Sequence, residues 1–500
     1  MALLSRLKPR LGWMSWHYRL GLVTCLGIIL WGISGITHPV MSRLQPRPVA
    51  FVAPQQAMQL QNTSAPGAML LSHGIQEFQR LALVELHGKP YFRVAENVAL
   101  PARFFAASPD GSGAELQAGD QQYAVMLASH FTGIAASRII KVRFVTSFSD
   151  SYPSVNRLLP VWEVSFDGDQ HLRAYIDTDQ ARLATLTNDT SRIMAKIFRL
   201  GHNWSFLEDV PVLQLTVMAL ILSTALFSAG SGLYLYVRRR RYVGQRLAHR
   251  PLQRWHRRLG LLVSLSALLF AGSGLFHLVM SFRQAQQASP PIIPIFSSTQ
   301  LSAESWRELS ARPVQKLDLV SYQEQPFWLL HAAPAVQVAA LAREAMHMEH
   351  HHEHHEDNAV PANPMLPLDA SGKEQITMAD LATMLAAAYA NRPLADIVEV
   401  VPVTQFGGEY GFQFKRLPVT KVQFSGAGNP RFYVEAATGV LAASVQDADA
   451  LEGWTFAYLH KWNFLDFNKL LRDALVMLFA LGNVLVAIMG AVMFYRRSTR

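Results

Sequence analysis

Four stretches of the chain are apolar over a length that suits a membrane crossing. A transmembrane helix needs roughly 20 apolar residues, and the two shorter stretches extend through flanking aromatic residues. We therefore predict four membrane-spanning helices. The first follows a short basic segment, as a signal peptide would, but no convincing small-residue cleavage site comes after it. The four stretches, all free of charge, are Leu20–Thr37, Val212–Val237, Leu259–Phe276 and Ala474–Tyr495.

Two long, more polar segments lie between these stretches, at 42–205 and 281–460. Each contains alternating apolar and polar positions around a glycine-containing turn, which is typical of paired strands. Each also contains a segment with helical periodicity, AGDQQYAVMLASHF in the first and TMADLATMLAAAY in the second. The pattern predicts a fold of membrane α-helices carrying two α+β domains.

The two halves of the chain resemble each other. Trp16–Met41 and Trp255–Met280 are identical at 13 of 26 aligned positions, histidines included. RLGHNWSFLEDV matches YLHKWNFLDFNK before the second and fourth stretches, and Leu159–Ala184 matches Leu417–Ala442. One unit of span, α+β domain and span therefore occurs twice in the same orientation. This pattern predicts a tandem duplication with a pseudo-twofold axis along the membrane normal and a four-helix bundle.

Positive charge is concentrated at one side of the predicted spans. Nine arginines lie between Arg238 and Arg258, and further cations lie before the first span and after the last. Such residues mark the cytoplasmic side, so we expect both termini in the cytoplasm, both long segments in the periplasm and a bacterial inner membrane. The net charge of +9 largely reflects these anchors, and we do not expect nucleic-acid binding. The single cysteine, Cys25, excludes an intrachain disulfide.

These motifs resemble the PepSY-associated transmembrane family of bacterial inner-membrane proteins. The WHRRLGLL opening, the LHKW histidine before a span and the repeated strand–turn–strand segments carry the resemblance over nearly the whole chain. The family is similar to iron-regulated membrane proteins and ferric-siderophore reductases, which hold b-type haem between membrane histidines. The resemblance implies a ferric-chelate or metal reductase that moves electrons across the membrane. His17 and His256 match the family's opening histidine, and His202 and His460 its second one.

With this resemblance, the chain divides into six segments. The two outer domains are expected to be PepSY-like, and the second contains a histidine-rich insertion at 346–358. The predicted segments are 1–41 (anchor and first span), 42–205 (first outer domain), 206–241 (second span), 242–280 (cytoplasmic loop and third span), 281–460 (second outer domain) and 461–500 (fourth span and C-terminus).

Six histidines form three matching pairs at the ends of the predicted spans. Neutral imidazole is the usual axial ligand of haem iron, and ionisable groups within spans usually face the bundle interior. His17 and His38 are 21 residues apart, about 31 Å along a helix, which is close to the thickness of the hydrocarbon core. Small residues lie within one turn of four of the histidines, which would leave room for a porphyrin or let the helices pack closely. They are Gly21 after His17, Gly260 after His256, Ser34 and Gly35 before His38, and Ser273 and Gly274 before His277. Interfacial hydrogen bonding is the alternative role for these histidines.

The repeat suggests how the histidines pair, and we expect two haem b groups. His17 and His256 lie on equivalent helices at the cytoplasmic side and could ligate one haem. For the outer haem the sequence leaves three choices open, namely His38 with His277, His202 with His460, or crossed pairs.

A histidine-rich tract distinguishes the second half. It lies in a net insertion of about twenty residues between His331 and Leu368. Such tracts bind transition metals, so we expect a metal-capturing loop. An uncommitted solvated insertion is the alternative. The candidate metal ligands are His347, His350, His351, His352, His354 and His355.

The sequence contains no alternative catalytic motif, since it has no nucleotide-binding loop, no HExxH and no GxSxG. Catalytic residues are therefore not assigned. A haem electron carrier would need a quinol or a separate cytoplasmic reductase as donor and a ferric chelate or other metal complex as acceptor. The rival hypothesis is a haem-free periplasmic metal-binding, regulatory or assembly protein of the membrane.

Overall fold

The chain forms two compact units in the computed structural model. The helix unit comprises Met1–Gln45, Thr190–Ala288 and Ala448–Arg500, and the sheet unit comprises Pro46–Asp189 and Ser289–Asp447. The structure describes residues 12–54, 58, 60, 63–109, 111–168, 170–238, 250–286, 289–301, 303–310, 314–332, 365–368 and 376–498.

Ten helices of seven residues or more lie in these described residues, and four of them are long enough and apolar enough to cross a membrane. The four long helices, α1, α5, α6 and α10, contain the four predicted spans and extend beyond them, so the prediction of a multi-pass membrane protein agrees with the structure. The helices are α1 (Trp13–Leu44), α2 (Pro66–Ser72), α3 (Gly119–Thr132), α4 (Asp189–Phe198), α5 (Pro211–Arg238), α6 (Pro251–Gln286), α7 (Ala303–Ser310), α8 (Met378–Ala390), α9 (Asp447–Thr455) and α10 (Lys469–Ser498).

The outer surfaces of the long helices are apolar. Only 17–22% of the most apolar window of each is buried within the protein, and large side chains such as Leu26, Leu220, Leu262 and Leu478 are more than 60% exposed. A water-soluble bundle would bury such side chains, because exposed apolar surface is costly in water. Lipid is therefore the solvent that suits this surface.

Small residues bring the four helices together into a bundle. The helix α1 packs against α5 and α10, and α6 packs against the same two neighbours. A Cβ atom at Gly27 would lie 2.5 Å from Ile221 on α5, a Cβ at Gly482 on α10 would lie 2.7 Å from Val263 on α6, and one at Gly32 would clash with Val484. Close backbone approach through small residues is the usual basis of helix packing in membranes.

All seventeen strands that the structure describes lie in the sheet unit. They are β1 (Glu77–Phe78), β2 (Arg80–Leu86), β3 (Lys89–Ala95), β4 (Arg103–Ala106), β5 (Glu115–Leu116), β6 (Ile139–Val145), β7 (Val161–Phe166), β8 (Arg173–Asp177), β9 (Arg182–Thr187), β10 (Phe296–Ser297), β11 (Val314–Tyr322), β12 (Gln325–Ala332), β13 (Met365–Leu368), β14 (Ile397–Val403), β15 (Val419–Phe424), β16 (Arg431–Glu435) and β17 (Val440–Val445).

One seven-stranded sheet combines strands from both halves of the chain, in the order β13-β12-β11-β2-β3-β4-β5. The junction is an antiparallel pairing of β11 with β2, in which Leu317 is opposite Leu83 and Asp318 is opposite Ala82. Both leucines are fully buried, as is Trp306, which packs in the same core. The two halves therefore share one hydrophobic core in this unit.

Two four-stranded antiparallel sheets repeat the same design, β6-β7-β8-β9 and β14-β15-β16-β17. The helix predicted in the first half is α3, and the one predicted in the second half is α8. Each packs on the four-stranded sheet of its own half. A cis proline precedes the second strand of each sheet, at Leu159-Pro160 and Leu417-Pro418. A stacked tyrosine pair also recurs. The ring centroids are 4.4 Å apart for Tyr152 and Tyr175, and 4.5 Å apart for Tyr410 and Tyr433.

A buried carboxylate connects the two four-stranded sheets. Glu435 accepts hydrogen bonds of 2.6 Å from both Arg182 on β9 and Arg416, and Arg182 also donates to Asp177 at 2.7 Å. Burial alone would raise the pKa of Glu435, but the two guanidinium groups hold it well below its usual range. The ion pair is therefore charged at any physiological pH.

The bundle packing predicts a specific sensitivity at Gly32. Replacing it with alanine places a methyl group against Val484, and overpacking of this kind costs about 1–3 kcal/mol. We expect Gly32→Ala to lower the melting temperature of the protein in detergent. Gly230→Ala on α5 is the matched control, because a Cβ there meets no atom within 4 Å. Equal melting temperatures for the two variants would contradict the close approach of α1 and α10.

Candidate cofactor site in the helix bundle

Two irregular turns place His202 and His460 inside the bundle. Each histidine lies in a single turn of π-helix, Arg199–Asn203 or Phe456–His460. A tryptophan in the left-handed conformation follows shortly after each, with φ of 54° at Trp204 and 61° at Trp462. Single π-turns are rare and occur often at functional sites. The same unusual backbone at both histidines therefore singles out these two positions.

The rings of His202 and His460 face each other. Their centroids are 6.2 Å apart and their planes are nearly perpendicular, at 87°. Gly35 and Gly274 lie beside them, and a Cβ atom on either glycine would be 3.7 Å from the Cε1 of the adjacent histidine. The small residues that the sequence places one turn before His38 and His277 thus contact His202 and His460 instead.

Serine hydroxyls fix the tautomer of both rings. The Nδ1 of His202 is 3.3 Å from the Oγ of Ser34, and the Nδ1 of His460 is 3.1 Å from the Oγ of Ser273. Each serine donates its own proton to a carbonyl one turn earlier on its helix, at 2.6 Å. Because the hydroxyl proton is used there, each Nδ1–H donates to the serine oxygen. The Nε2 of each ring then carries no proton and has a lone pair available to a donor or a metal.

The other outer histidines lie beyond a phenylalanine on either side. Together the six side chains form a row of aromatic rings. In order, the row is His38, Phe198, His202, His460, Phe456 and His277, with successive centroid distances of 5.5, 4.6, 6.2, 4.8 and 4.2 Å. The four outer histidines of the sequence prediction therefore come together, with His202 and His460 adjacent and the other two separated from them.

The ends of the row differ between the halves. The Nδ1 of His277 is 2.5 Å from the Oε1 of the buried Glu452. The residue at the corresponding position of the first half is Met194, so a thioether side chain replaces this carboxylate there. A buried carboxylate is costly unless it is paired, which makes the Glu452–His277 contact a fixed feature of one end only.

A second pair of histidines lies toward the other end of the long helices. The Nδ1 of His17 on α1 is 2.9 Å from the Oγ of Ser231 on α5, and the Nδ1 of His256 on α6 is 3.2 Å from the Val486 carbonyl oxygen on α10. A carbonyl only accepts, so Nδ1 of His256 carries the proton and Nε2 is free. Each ring therefore bonds a neighbouring helix, α5 for His17 and α10 for His256.

Glycines also lie beside this pair. A Cβ atom at Gly232 would be 3.2 Å from the Cε1 of His17, and one at Gly490 would be 3.5 Å from that of His256. These two glycines occupy corresponding positions of α5 and α10. Gly21 and Gly260, which the sequence singles out four residues after each histidine, lie in more open surroundings. The glycines next to the rings thus come from the neighbouring helices.

A model of the PepSY-associated TM region matches residues 92–497 of the chain. This chain belongs to the PepSY-associated transmembrane family. The match confirms the resemblance read from the repeated histidine motifs. A search of curated proteins finds no match to the chain.

The aromatic partners of the family's second histidine were not recognised in the sequence. Phe198 and Phe456 each lie four residues before it, and both halves have phenylalanine there. Trp204 stacks on Trp31 at 5.4 Å and Trp462 stacks on Phe270 at 5.5 Å. These six aromatic residues form three pairs at equivalent positions of the two halves, so a search for residues that repeat in register with the histidines would have found them.

The predicted metal ligands of the histidine-rich tract, His347 to His355, lie outside the described residues. Within the part of the chain that the structure describes, no group of three or more histidine, cysteine or acidic residues could hold a metal ion. Cys25 is buried and its thiol contacts the Ala487 carbonyl at 3.2 Å, which agrees with a packing role.

The asymmetry at the ends of the aromatic row can be tested by matched substitutions. Glu452→Leu removes the acceptor of the His277 ring and leaves a polar group unpaired, which costs about 1–3 kcal/mol. We expect a lower melting temperature, with Glu452→Gln milder because it keeps an oxygen acceptor. Met194→Leu, at the corresponding position of the first half, is expected to change little. Equal melting temperatures of Glu452→Leu and Met194→Leu would refute a structural role for this contact.

Proposed function

We propose that this protein is a haem-b electron carrier that moves electrons across the membrane and reduces a ferric chelate or another metal complex on the periplasmic side. The observation that carries the proposal is the facing pair of imidazoles, His202 and His460, each with Nε2 unprotonated and 6.2 Å between ring centroids.

His202 and His460 would hold one haem. Imidazole is a usual ligand of haem iron, and the two ring centroids are only 6.2 Å apart, so both Nε2 atoms could serve the same group. We therefore choose this pair among the three combinations that the sequence leaves open.

His17 and His256 would hold the second haem toward the cytoplasm. Haem iron would supply reversible one-electron chemistry at both places. The chain's own groups orient the ligands: the serine hydroxyls and the Val486 carbonyl accept the Nδ1 protons. Such outer hydrogen bonds fix the ring and raise the basicity of its other nitrogen.

His38 and His277 take a different role in this proposal. The phenylalanine rings separate them from His202 and His460, and the Nδ1 of His277 contacts Glu452. They flank the site rather than ligate iron.

The arrangement is best explained by a tandem duplication with PepSY-like outer domains in the sheet unit. The recurring π-turns, cis prolines and tyrosine stacks support this origin. A pseudo-twofold axis along the membrane normal would bring equivalent histidines together, as the two pairs require. The arginine-rich ends would lie in the cytoplasm of a bacterium, in its inner membrane. Electrons would come from a quinol or a separate reductase.

The histidine-rich tract favours a second candidate function, that of a periplasmic metal-binding protein with a regulatory or assembly role. Its six histidines within nine residues would capture a transition metal. In that case the membrane histidines would serve packing and hydrogen bonding alone.

The haem assignment predicts the result of two double substitutions. His202→Ala with His460→Ala should remove one haem, and His17→Ala with His256→Ala should remove the other, each halving the reduced-minus-oxidised absorbance per chain. His73→Ala with His87→Ala, in the sheet unit, should leave the spectrum unchanged. Colourless wild-type protein from haem-replete cells would refute the proposal.

Deleting residues 346–358 separates the two functions. The haem spectrum should remain, because the haem ligands lie on the long helices and their adjoining turns, whereas binding of copper, zinc or nickel should weaken. Equilibrium dialysis with each metal measures this directly. Loss of haem on deletion would contradict the division of roles.

A further inference from the structure

The first four-stranded sheet carries a hollow of about 610 Å³ on one of its faces. Ligand pockets commonly have volumes of about 300–1,000 Å³. The opposite face of the sheet packs against α3 and belongs to the hydrophobic core. This hollow lies wholly within the sheet unit and apart from the histidines of the bundle.

Charged side chains share this face because they occupy paired positions on neighbouring strands. Lys141 is opposite Ser165, and Arg143 is opposite Glu163. Ser165 is in turn opposite Arg173. Side chains two residues apart on a strand point to the same face, so the hollow has three cations along it.

A buried carboxylate at the floor holds two of these cations in place. Glu163 is 3% exposed, and it accepts a hydrogen bond from Arg143 at 2.6 Å while Arg173 lies at 3.6 Å. Burial alone would raise the pKa of Glu163, but the hydrogen bond and charge of Arg143 and the charge of Arg173 lower it. The floor is therefore ionised and orients both guanidinium groups, whose remaining N–H groups can bind another anion.

The side chains around the hollow carry more positive than negative charge. Lys141 is exposed and has no ion-pair or hydrogen-bond partner among the residues that the structure describes. In the other carboxylate of the hollow, Asp189, the Oδ2 atom lies 2.6 Å from the Nδ1 of His171. Three permanent cations thus face two carboxylates, each of which already has a cationic or hydrogen-bonding partner.

The corresponding face of the second half has the opposite balance. Glu399 replaces Lys141 and pairs with Lys421 at 2.6 Å. Arg431, which corresponds to Arg173, is paired with both Glu409 and Asp447 at 2.8 Å. Two cations, Lys421 and Arg431, lie there among the three carboxylates of Glu399, Glu409 and Asp447. The excess of positive charge is therefore specific to the first half.

We infer that the hollow lined by Lys141, Arg143 and Arg173 binds a small polycarboxylate, free or as a ferric chelate. Several planar carboxylates suit two oriented guanidinium groups, which bind such groups with paired hydrogen bonds. The identification of this ligand with the electron acceptor rests on the proposed function, whereas polycarboxylate binding itself does not.

Isothermal titration of the detergent-purified full chain with citrate and with ferric citrate tests the inference. Lys141→Gln should weaken binding about fivefold, the size of one exposed charge contact, and Lys141→Glu should weaken it about 25-fold. Folding is expected to be preserved in both variants, because Lys141 is exposed and no described residue bonds it. Glu399→Gln, at the corresponding position of the second half, is the matched control and should bind as wild type does.

The outcomes separate this site from the haem proposal. Binding of both probes supports a general polycarboxylate site, and binding of ferric citrate alone assigns the site to the chelate. No binding of either probe by wild type, or equal losses in Lys141→Gln and Glu399→Gln, would overturn the inference. The haem spectrum is recorded on the same samples. Colourless protein that binds citrate would refute the proposed function but not this site. Haem-loaded protein that binds neither probe would refute this site but not the proposed function.

Discussion

Each histidine inside the apolar bundle needs an acceptor for its Nδ1 proton. This requirement determines how the side chains at the centre of the protein are arranged. A polar group buried without a partner costs several kcal/mol where water is absent. His202 and His460 meet this need with serine oxygens from neighbouring helices, and His256 meets it with a backbone carbonyl. Each bond joins a ring to a neighbouring helix, so a ring that turned would lose its hydrogen bond. The orientation of the ring nitrogens therefore depends on how the helices pack.

Much of this centre could be predicted from the sequence because the signals are long or repeated. Four apolar stretches predict four helices, and histidines that recur in register predict a shared interior. The partner of each ring could not be predicted. Ser34 precedes His38 by four residues and suggests a gap beside that histidine, yet it bonds His202, because the π-turn brings His202 one helical turn inward from His38. Such local backbone irregularity leaves no periodic signal.

The strand pairing within the sheet unit could not be predicted, for a different reason. The sequence shows two similar segments and suggests two separate domains, whereas β2 and β11 pair within one seven-stranded sheet. Pairing between distant strands depends on edges and registers that composition does not encode. The cationic hollow was missed likewise, since Lys141, Glu163 and Arg173 come together only through the register of three strands. By contrast, Phe198 and Phe456 were missed although their repetition was visible.

The junction of β2 with β11 also makes each half of the chain depend on the other. A single half standing alone would expose one of these strands as an open edge, and uncovered edges recruit other chains and aggregate. Leu83 and Leu317 would lose their burial at the same time. Either half expressed by itself is therefore expected to aggregate unless the other half is supplied to cover its edge.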